Sequence, residues 1–487
     1  VSTRIRAVVR STPVWGLVVF VGTLTTYLAT YPRHIINADA FSATVESFRI
    51  ATTGRPWLEG FDWSAVAHIV PGYHLDLSPW VAAGAGGHAV SFRSPGATIV
   101  SVPAYWIDAH LLSHHGYHFG PGNVTACVLT ALAMVLFFLT VVRHVRFGAA
   151  LAATLVLAFA TPMWSVSAAF LWTHPITVLG IAGMAWAADR DRWWLVGLFG
   201  GIGLWGRLHV AVIVAILGLG VAVWRRRSAP AVRAGLVSAA MLALASLYSH
   251  WLYGSWNPAG GYGSGPGKAL ATGNTGDSPV IGHGLVAAVM NHLGLWIAPD
   301  RGVLLFTPIL LILIPLVVLR WRELPDWSRV LAIAGLVYTL VQGQIDGFAG
   351  GSGFFGYRLM LEPLMCAAPA CVLAVRRMPR RLHHPVAMVV AAMWGAFAYA
   401  ALIERSSVGL RDTPTAPVPY LPVQVAWTHN AVIEDLRTQG PDLWLCLLGA
   451  VVVCYYVVER WRKRVEGTAP VVAPVEDLAE ETAQAAG

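Results

Sequence analysis

Apolar windows of roughly 18–22 residues recur along almost the whole chain, and each is long enough to cross about 30 Å of hydrocarbon as a helix. The pattern predicts about twelve spans, near 12–31, 123–142, 149–169, 174–189, 193–205, 208–224, 231–252, 302–320, 327–344, 358–375, 385–403 and 441–459. The fifth and sixth are short and also fit one broken hairpin. The loops alternate in character. One set is short and basic, with Arg143 and Arg146, Arg190 and Arg192, Arg225, Arg226, Arg227 and Arg233, Arg320, Arg322 and Arg329, and Arg376, Arg377, Arg380 and Arg381. Together with Arg4, Arg6, Arg10 and the closing Arg460, Arg462, Lys463 and Arg464, this side holds about 22 of the 33 Lys and Arg. By the positive-inside rule both termini are then cytoplasmic.

The long loops all fall on the opposite, outer side: 32–122, the Gly-rich 253–300, and the Pro-rich 404–440. Within the first, 38–51 and 62–70 read as helices lying along the membrane surface. SPGATIVSVPAYWI (94–107) reads as a re-entrant or interfacial helix, because a full span there would invert the charge alternation downstream. Residues 1–464 thus form one polytopic α-helical membrane domain. Residues 465–487 read as a disordered, acidic cytoplasmic tail.

Composition sharpens this picture. The chain has 487 residues, 56% hydrophobic and 12% charged, against about 25% charged in a soluble protein. The net charge of +8 resides in the topogenic clusters. No basic face with interleaved aromatics points to nucleic acid. Cys127, Cys366, Cys371, Cys446 and Cys454 all fall in expected spans and read as small apolar packing residues. The initial Val implies a GTG start and a bacterial reading frame, and the first apolar window reads as an anchor rather than a cleaved signal.

Chemistry is expected at the outer rim. Asp39 and Glu46 sit seven residues apart in HIINADAFSATVESFRI, on nearly one helix face. A carboxylate at the membrane edge is partly desolvated, which raises its pKa and suits a general base. The alternative for Asp39 is a helix cap. Arg93, Arg207, Arg301 and Arg358 gather at the same rim, where several guanidiniums can clamp a phosphate, although a single interfacial Arg commonly snorkels. Asp300 precedes Arg301, Glu362 follows Arg358 by one turn, and His174 opens a span in LWTHP. His114, His115 and His118 form HHGYH, which is not a specific zinc pattern and reads as solvated loop. No metal ligand is assigned on this basis, a divalent metal remaining the minor alternative. Neither a Walker loop nor GxSxG occurs.

Taken in order, these stretches resemble the GT-C superfamily of membrane glycosyltransferases, in the bacterial branch related to protein O-mannosyltransferases and lipid A aminoarabinose transferases. Asp39 in NADAFSATVESF stands where that family carries its essential acid, with Ala38 and Ala40 beside it in place of a second one. SFRSPGATIVSVPAYW resembles the Pro-Pro-Gly segment, and SAAFLWTHPITVLG the His-bearing stretch opening a span. HWLYGSWNPAGGYG, with Tyr262, is similar to the Tyr-Gly…Gly-Tyr loop. WIAPDRGVLLFTPILL is similar to the Ser-Arg-Gly-Leu…Ser-Pro stretch. GFAGGSGFFGYRLMLEPL is similar to the Gly-Gly…Gly-Pro-Arg-Tyr-Leu stretch, with Tyr357 for its Pro. The likeness covers about residues 12–375.

The resemblance implies a GT-C-type helical bundle in the bacterial cytoplasmic membrane, with its active site on the outer face. It implies an inverting transfer of a sugar, mannose or arabinofuranose among others, from a polyprenyl-phosphate donor to a cell-envelope glycan or glycolipid. Asp39 would be the base, with Glu46 as second acid candidate. Arg207, Arg301 and Arg358 would meet the donor phosphate, and Arg93, His174, Tyr262, Asp300, Tyr357 and Glu362 would line the substrate site. The bilayer is the further partner, and no cofactor is implied. Two other readings compete: a flippase for polyprenyl-linked glycan, which needs polar groups near mid-membrane, and a non-catalytic scaffold of the same fold.

Overall fold

The computed structural model describes residues 12–32, 38–63, 81–262, 285–298, 301–345, 347–348, 350, 354–376, 378–402 and 441–466. Asp300, most of the expected surface helix over 62–70, residues 263–284 of the Gly-rich loop, the segment 403–440 and the tail from residue 467 lie outside these residues. The expectation that 253–300 is loop throughout is corrected, because Leu285–Ile297 is an apolar helix. The described chain is mostly helical. The only strands among these residues are a small antiparallel hairpin, β1 (Val81–Ala83) and β2 (Ala89–Ser91), which the sequence pattern did not predict.

Among the described residues, four helices are long and apolar enough to cross a membrane: Pro13–Thr30, Gly120–Val141, Ala229–Tyr253 and His383–Ala401. Besides the apolar stretch Leu445–Val457, which belongs to the 26-residue helix Pro441–Glu466, seven more apolar helices among the described residues run 10–17 residues. At about 1.5 Å per residue such pieces reach roughly 15–25 Å, short of a straight crossing of about 30 Å. The expectation of about twelve full-length spans is therefore corrected. Proline is one cause. The window 149–169 stops as helix at Phe159, and a π-helical turn, Met163–Ser167, follows Thr161-Pro162. The window 302–320 divides into Val303–Phe306 and Leu310–Leu319 around Thr307-Pro308, where Thr307 leaves the helical region (φ −133°, ψ 59°). Proline removes a backbone donor and pushes the preceding residue out of the helical basin.

The longer helices turn apolar side chains outward. Leu17, Val18 and Val21 are exposed on the first, and Leu236, Leu244 and Leu247 on Ala229–Tyr253. Such faces suit lipid rather than water. Helix contacts inside the bundle use small residues. His174–Ala188 (α1) packs on Trp193–Gly206 (α2), which packs on Ala229–Tyr253 (α3). A Cβ on Gly180 of α1 would lie 2.7–2.8 Å from backbone atoms of Phe199 and Gly203.

The two ends of the bundle differ. Asp189, just past the end of α1, pairs with Arg143 (2.8 Å), His144 (2.5 Å) and Arg190 (3.3 Å). Arg225 pairs with Asp326 (2.5 Å) and Asp191 (2.6 Å). Loops expected on one side by their charge thus meet at one end. His174, Arg207 and Glu362 sit at the other termini of their helices.

The helix Ala38–Thr53 (α4) is present as expected, but it does not lie on a lipid surface. Every residue from Ala40 to Phe48 is buried, beneath β2 and against Pro95–His110 (α5). Ser47 Oγ donates to the Thr98 carbonyl (2.8 Å) and accepts from Ser101 Oγ (2.7 Å). The expected interfacial helix over 94–107 is α5 itself, one residue shorter at its start and extending to His110.

The close α1–α2 contact gives a test. Gly180→Ala should destabilise the protein by about 1–3 kcal/mol through overpacking against backbone, read as a lower midpoint of thermal aggregation in detergent. Gly235→Ala is the control: nothing lies within 4 Å of its Cβ position, so its midpoint should be unchanged or slightly higher.

Candidate active site

Asp39 lies in the first turn of α4, where its charge complements the helix dipole. Its side chain is 20% exposed and lies between two guanidiniums. Arg93 Nη2 donates to Oδ1, and Arg358 Nη1 donates to Oδ2 at 2.6 Å. Arg93 Nε also donates to Ser42 Oγ (2.6 Å), three residues along the same helix. The expectation of a raised Asp39 pKa is corrected. Burial does push the carboxyl up, but the two guanidiniums outweigh it and hold it well below the usual carboxylate range.

Each arginine is positioned by a separate device. Arg93 follows β2, and its backbone is pinned by the Tyr253 hydroxyl, which donates to the Arg93 carbonyl (2.7 Å). Ser94 Oγ donates to the Gly206 carbonyl (2.8 Å). A Cβ on Gly96 would meet the Trp205 carbonyl at 2.8 Å. The SPG turn is therefore seated on the end of α2, and the backbones next to Arg93 and Arg207 adjoin. Tyr262 ends a short 3-10 turn, Gly260–Tyr262. There a Cβ on Gly261 would lie 2.2 Å from the Arg93 carbonyl oxygen.

Arg358 comes from the loop before Leu361–Val375 (α6). Both proline breaks hold that loop. Ser165 Oγ donates to the Phe355 carbonyl (2.6 Å), and Tyr357 Oη lies 2.7 Å from Thr307 Oγ1. Tyr357 is thus a buried strut. Gly356 adopts φ +93°, open to glycine at little cost. The Arg358 guanidinium lies over Trp172 (4.8 Å) and near Phe354 (5.7 Å), and Arg301 lies over the same Phe354 ring (4.4 Å).

Next to this clamp is a buried acid–imidazole pair. Glu362 Oε1 lies 2.8 Å from His174 Nδ1 and accepts from Thr177 Oγ1 (2.6 Å). Arg207 donates to Gln342 Oε1 (3.1 Å), which is also 2.9 Å from His209 Nε2. Trp172 touches the His174 ring edge-on at 6.4 Å, so it links the two groups. Trp172 Nε1, Arg358 Nε and Glu362 Oε2 are buried and make no hydrogen bond to the described residues. Orphaned buried polar atoms are costly and uncommon. Two of these atoms are donors and one is an acceptor, groups that a hydroxyl can satisfy.

The structure thus brings Asp39, Arg93, Arg358, Arg301, His174, Glu362 and Arg207 into one neighbourhood. Asp300 and the Tyr262 side chain lie outside the described residues. Glu46 lies apart, fully buried. Oε1 accepts from the Ser91 N–H (2.8 Å) and Oε2 from the Tyr248 hydroxyl (3.3 Å). Ser42, Trp172, Gln342 and His209 were not singled out from sequence. Trp172 stands two residues before His174, and Gln342 is a polar residue within an expected span.

Glu46 makes a pH prediction. Burial raises its carboxyl from 4.5 to about 8. Below about pH 4.5 it is neutral in both folded and unfolded chains. Between about 4.5 and about 8 the unfolded chain gives up the proton and the folded chain keeps it, so stability falls as pH rises. Glu46→Gln keeps an acceptor and a donor but never ionises. Its melting temperature should be flatter than wild type across that interval and higher at pH 8.5; parallel curves would contradict this.

No family model matches the chain, and no curated protein matches it.

Proposed function

We propose that the chain is an inverting membrane glycosyltransferase of GT-C type that moves a sugar from a polyprenyl-phosphate donor to a cell-envelope acceptor. In this reading the site faces the outer side of a bacterial cytoplasmic membrane. The observation that carries it is the Asp39 carboxylate held between Arg93 and Arg358. It places a proton acceptor beside cations suited to a phosphate, at the end of an apolar bundle.

The acceptor hydroxyl oxygen attacks the anomeric carbon, and the bond from that carbon to the phosphate oxygen breaks. The hydroxyl proton passes to Asp39. Charge left on the lipid phosphate is met by Arg358 and Arg301, with Arg207 near the His174–Glu362 pair. The depressed basicity of Asp39 has a role here. A donor phosphate that engages Arg358 draws one guanidinium away from the carboxylate, which raises its proton affinity only when donor is present. Asp39, His174, Arg207 and Glu362 stand at helix ends rather than mid-helix, which fits surface chemistry better than transport.

The test is transfer from a panel of polyprenyl-phosphate sugars, pentosyl and hexosyl, to crude envelope acceptor by purified protein. Asp39→Asn should lose roughly a hundredfold or more, the scale of a lost general base. Glu46→Gln should retain most activity. Equal transfer by wild type and Asp39→Asn would remove Asp39 from the chemistry and point to another base, whereas no transfer from any donor would favour the flippase and scaffold readings.

A further inference from the structure

A second cluster lies at the far end of α5. Asp108 is thirteen residues from Pro95, about 20 Å along the helix from the Arg93 end. Its carboxylate is 9% exposed, and both oxygens are engaged. His114 Nδ1 lies 2.8 Å from Oδ1, and His118 Nε2 lies 2.8 Å from Oδ2. The three residues can offer ligand atoms that all lie within 4.8 Å of one another.

The backbone holds this arrangement. After α5 ends, Leu112 N–H returns to the Ile107 carbonyl (3.1 Å) and His114 N–H to the Asp108 carbonyl (3.1 Å). Ser113 takes φ +58°, an uncommon value for a side chain other than glycine. Between the histidines Tyr117 is buried, with its hydroxyl 2.8 Å from Thr44 Oγ1 of α4. The Tyr105 hydroxyl donates to the His118 carbonyl (3.0 Å). The histidine rings themselves are 59% and 41% exposed, so they have room to adjust.

We propose that Asp108, His114 and His118 form a binding site for a divalent transition-metal ion of the zinc class, separate from the Asp39 centre. Two imidazoles and one carboxylate are a borderline ligand set suited to zinc or cobalt, whereas magnesium and calcium favour oxygen alone. Three protein ligands leave a fourth position open toward solvent. Metal–ligand distances of about 2.0–2.2 Å require the two ring nitrogens to close inward by a small ring movement. His118 also accepts a weak bond from Gly120 N–H at Nδ1 (3.2 Å). Ligation through Nε2 moves the ring proton to Nδ1 and releases that N–H to water. The bound ion ties the 111–119 turn to α5 and, through Tyr117 and Thr44, steadies the helix that carries Asp39.

The experiment is cobalt and zinc titration of the full chain in detergent, purified through a tag that does not bind metal. Wild type should take up about one equivalent, with visible cobalt absorption displaced by zinc and unaffected by excess magnesium. His114→Ala and His118→Ala should each weaken binding by more than the roughly 10–100-fold that follows loss of a partner behind a ligand, because each removes a ligand itself. His115→Ala is the internal control, because His115 is exposed and outside the cluster. It should bind as wild type does. Zinc should raise the melting temperature of wild type and His115→Ala but not of the double variant His114→Ala/His118→Ala. Absence of a cobalt signal in wild type, or equal uptake by the double variant, would overturn the proposal. Both readouts are independent of sugar transfer.

Discussion

One carboxylate organises this end of the molecule. Asp39 accepts from guanidiniums that come from segments 54 and 319 residues away in the chain. Three parts must therefore hold station together: the helix Ala38–Thr53, the SPG turn and the loop before Leu361. Breaking a fully buried pair costs about 3–5 kcal/mol because a charge is left uncompensated. The 20% exposure of Asp39 lowers that figure, since water screens the remaining charges. The clamp is thus better understood as a charged centre kept assembled by its surroundings than as the source of the fold's stability. Those surroundings are apolar packing, small-residue helix contacts and hydroxyl bonds to backbone.

The interrupted helices serve the same centre. Thr161-Pro162 and Thr307-Pro308 each end a helix before it can span. Both breaks then contact one loop: Ser165 bonds the Phe355 carbonyl, and Thr307 meets Tyr357. A Cβ on Gly356 would lie 2.9 Å from the Pro162 ring. Continuous helices would carry neither hydroxyl to that loop, and Arg358 would lose the backbone that aims it at Asp39. Irregular backbone at such depth is tolerated where it is buried in protein rather than exposed to lipid.

How much of this the sequence revealed depends on the range of the interaction. Most helix positions were legible to within a few residues, because apolar windows and basic loops are local signals, but the apolar helix Leu285–Ile297 was read as part of a loop. Asp39, Arg93 and Arg358 were legible as charged residues expected at one rim. Their pairing was not, since it joins segments hundreds of residues apart. The sign of the Asp39 shift followed from that pairing, so desolvation alone pointed the wrong way. Proline was visible in both broken windows, but hydropathy averages over a residue that interrupts hydrogen bonding without lowering apolarity much. Trp172 read as one of 21 tryptophans in an aromatic-rich chain. Only its place under Arg358 and beside His174 separates it from packing.

Asp39 and Glu46 share one helix and titrate in opposite directions. Two nearby acids pushed apart in this way often divide acid and base roles. Here the division is different. Glu46 is fully buried, with a backbone N–H and a tyrosine hydroxyl on its two oxygens, so it has no route to a substrate proton. Its neutral form lets the helix pass beneath the β-hairpin without placing an unpaired charge in a dry contact. Asp39 keeps partial exposure, two cationic partners and a neighbourhood of unfilled donors and an acceptor. A carboxylate whose basicity is set by arginines can be retuned by whatever those arginines bind next. One set by burial alone cannot.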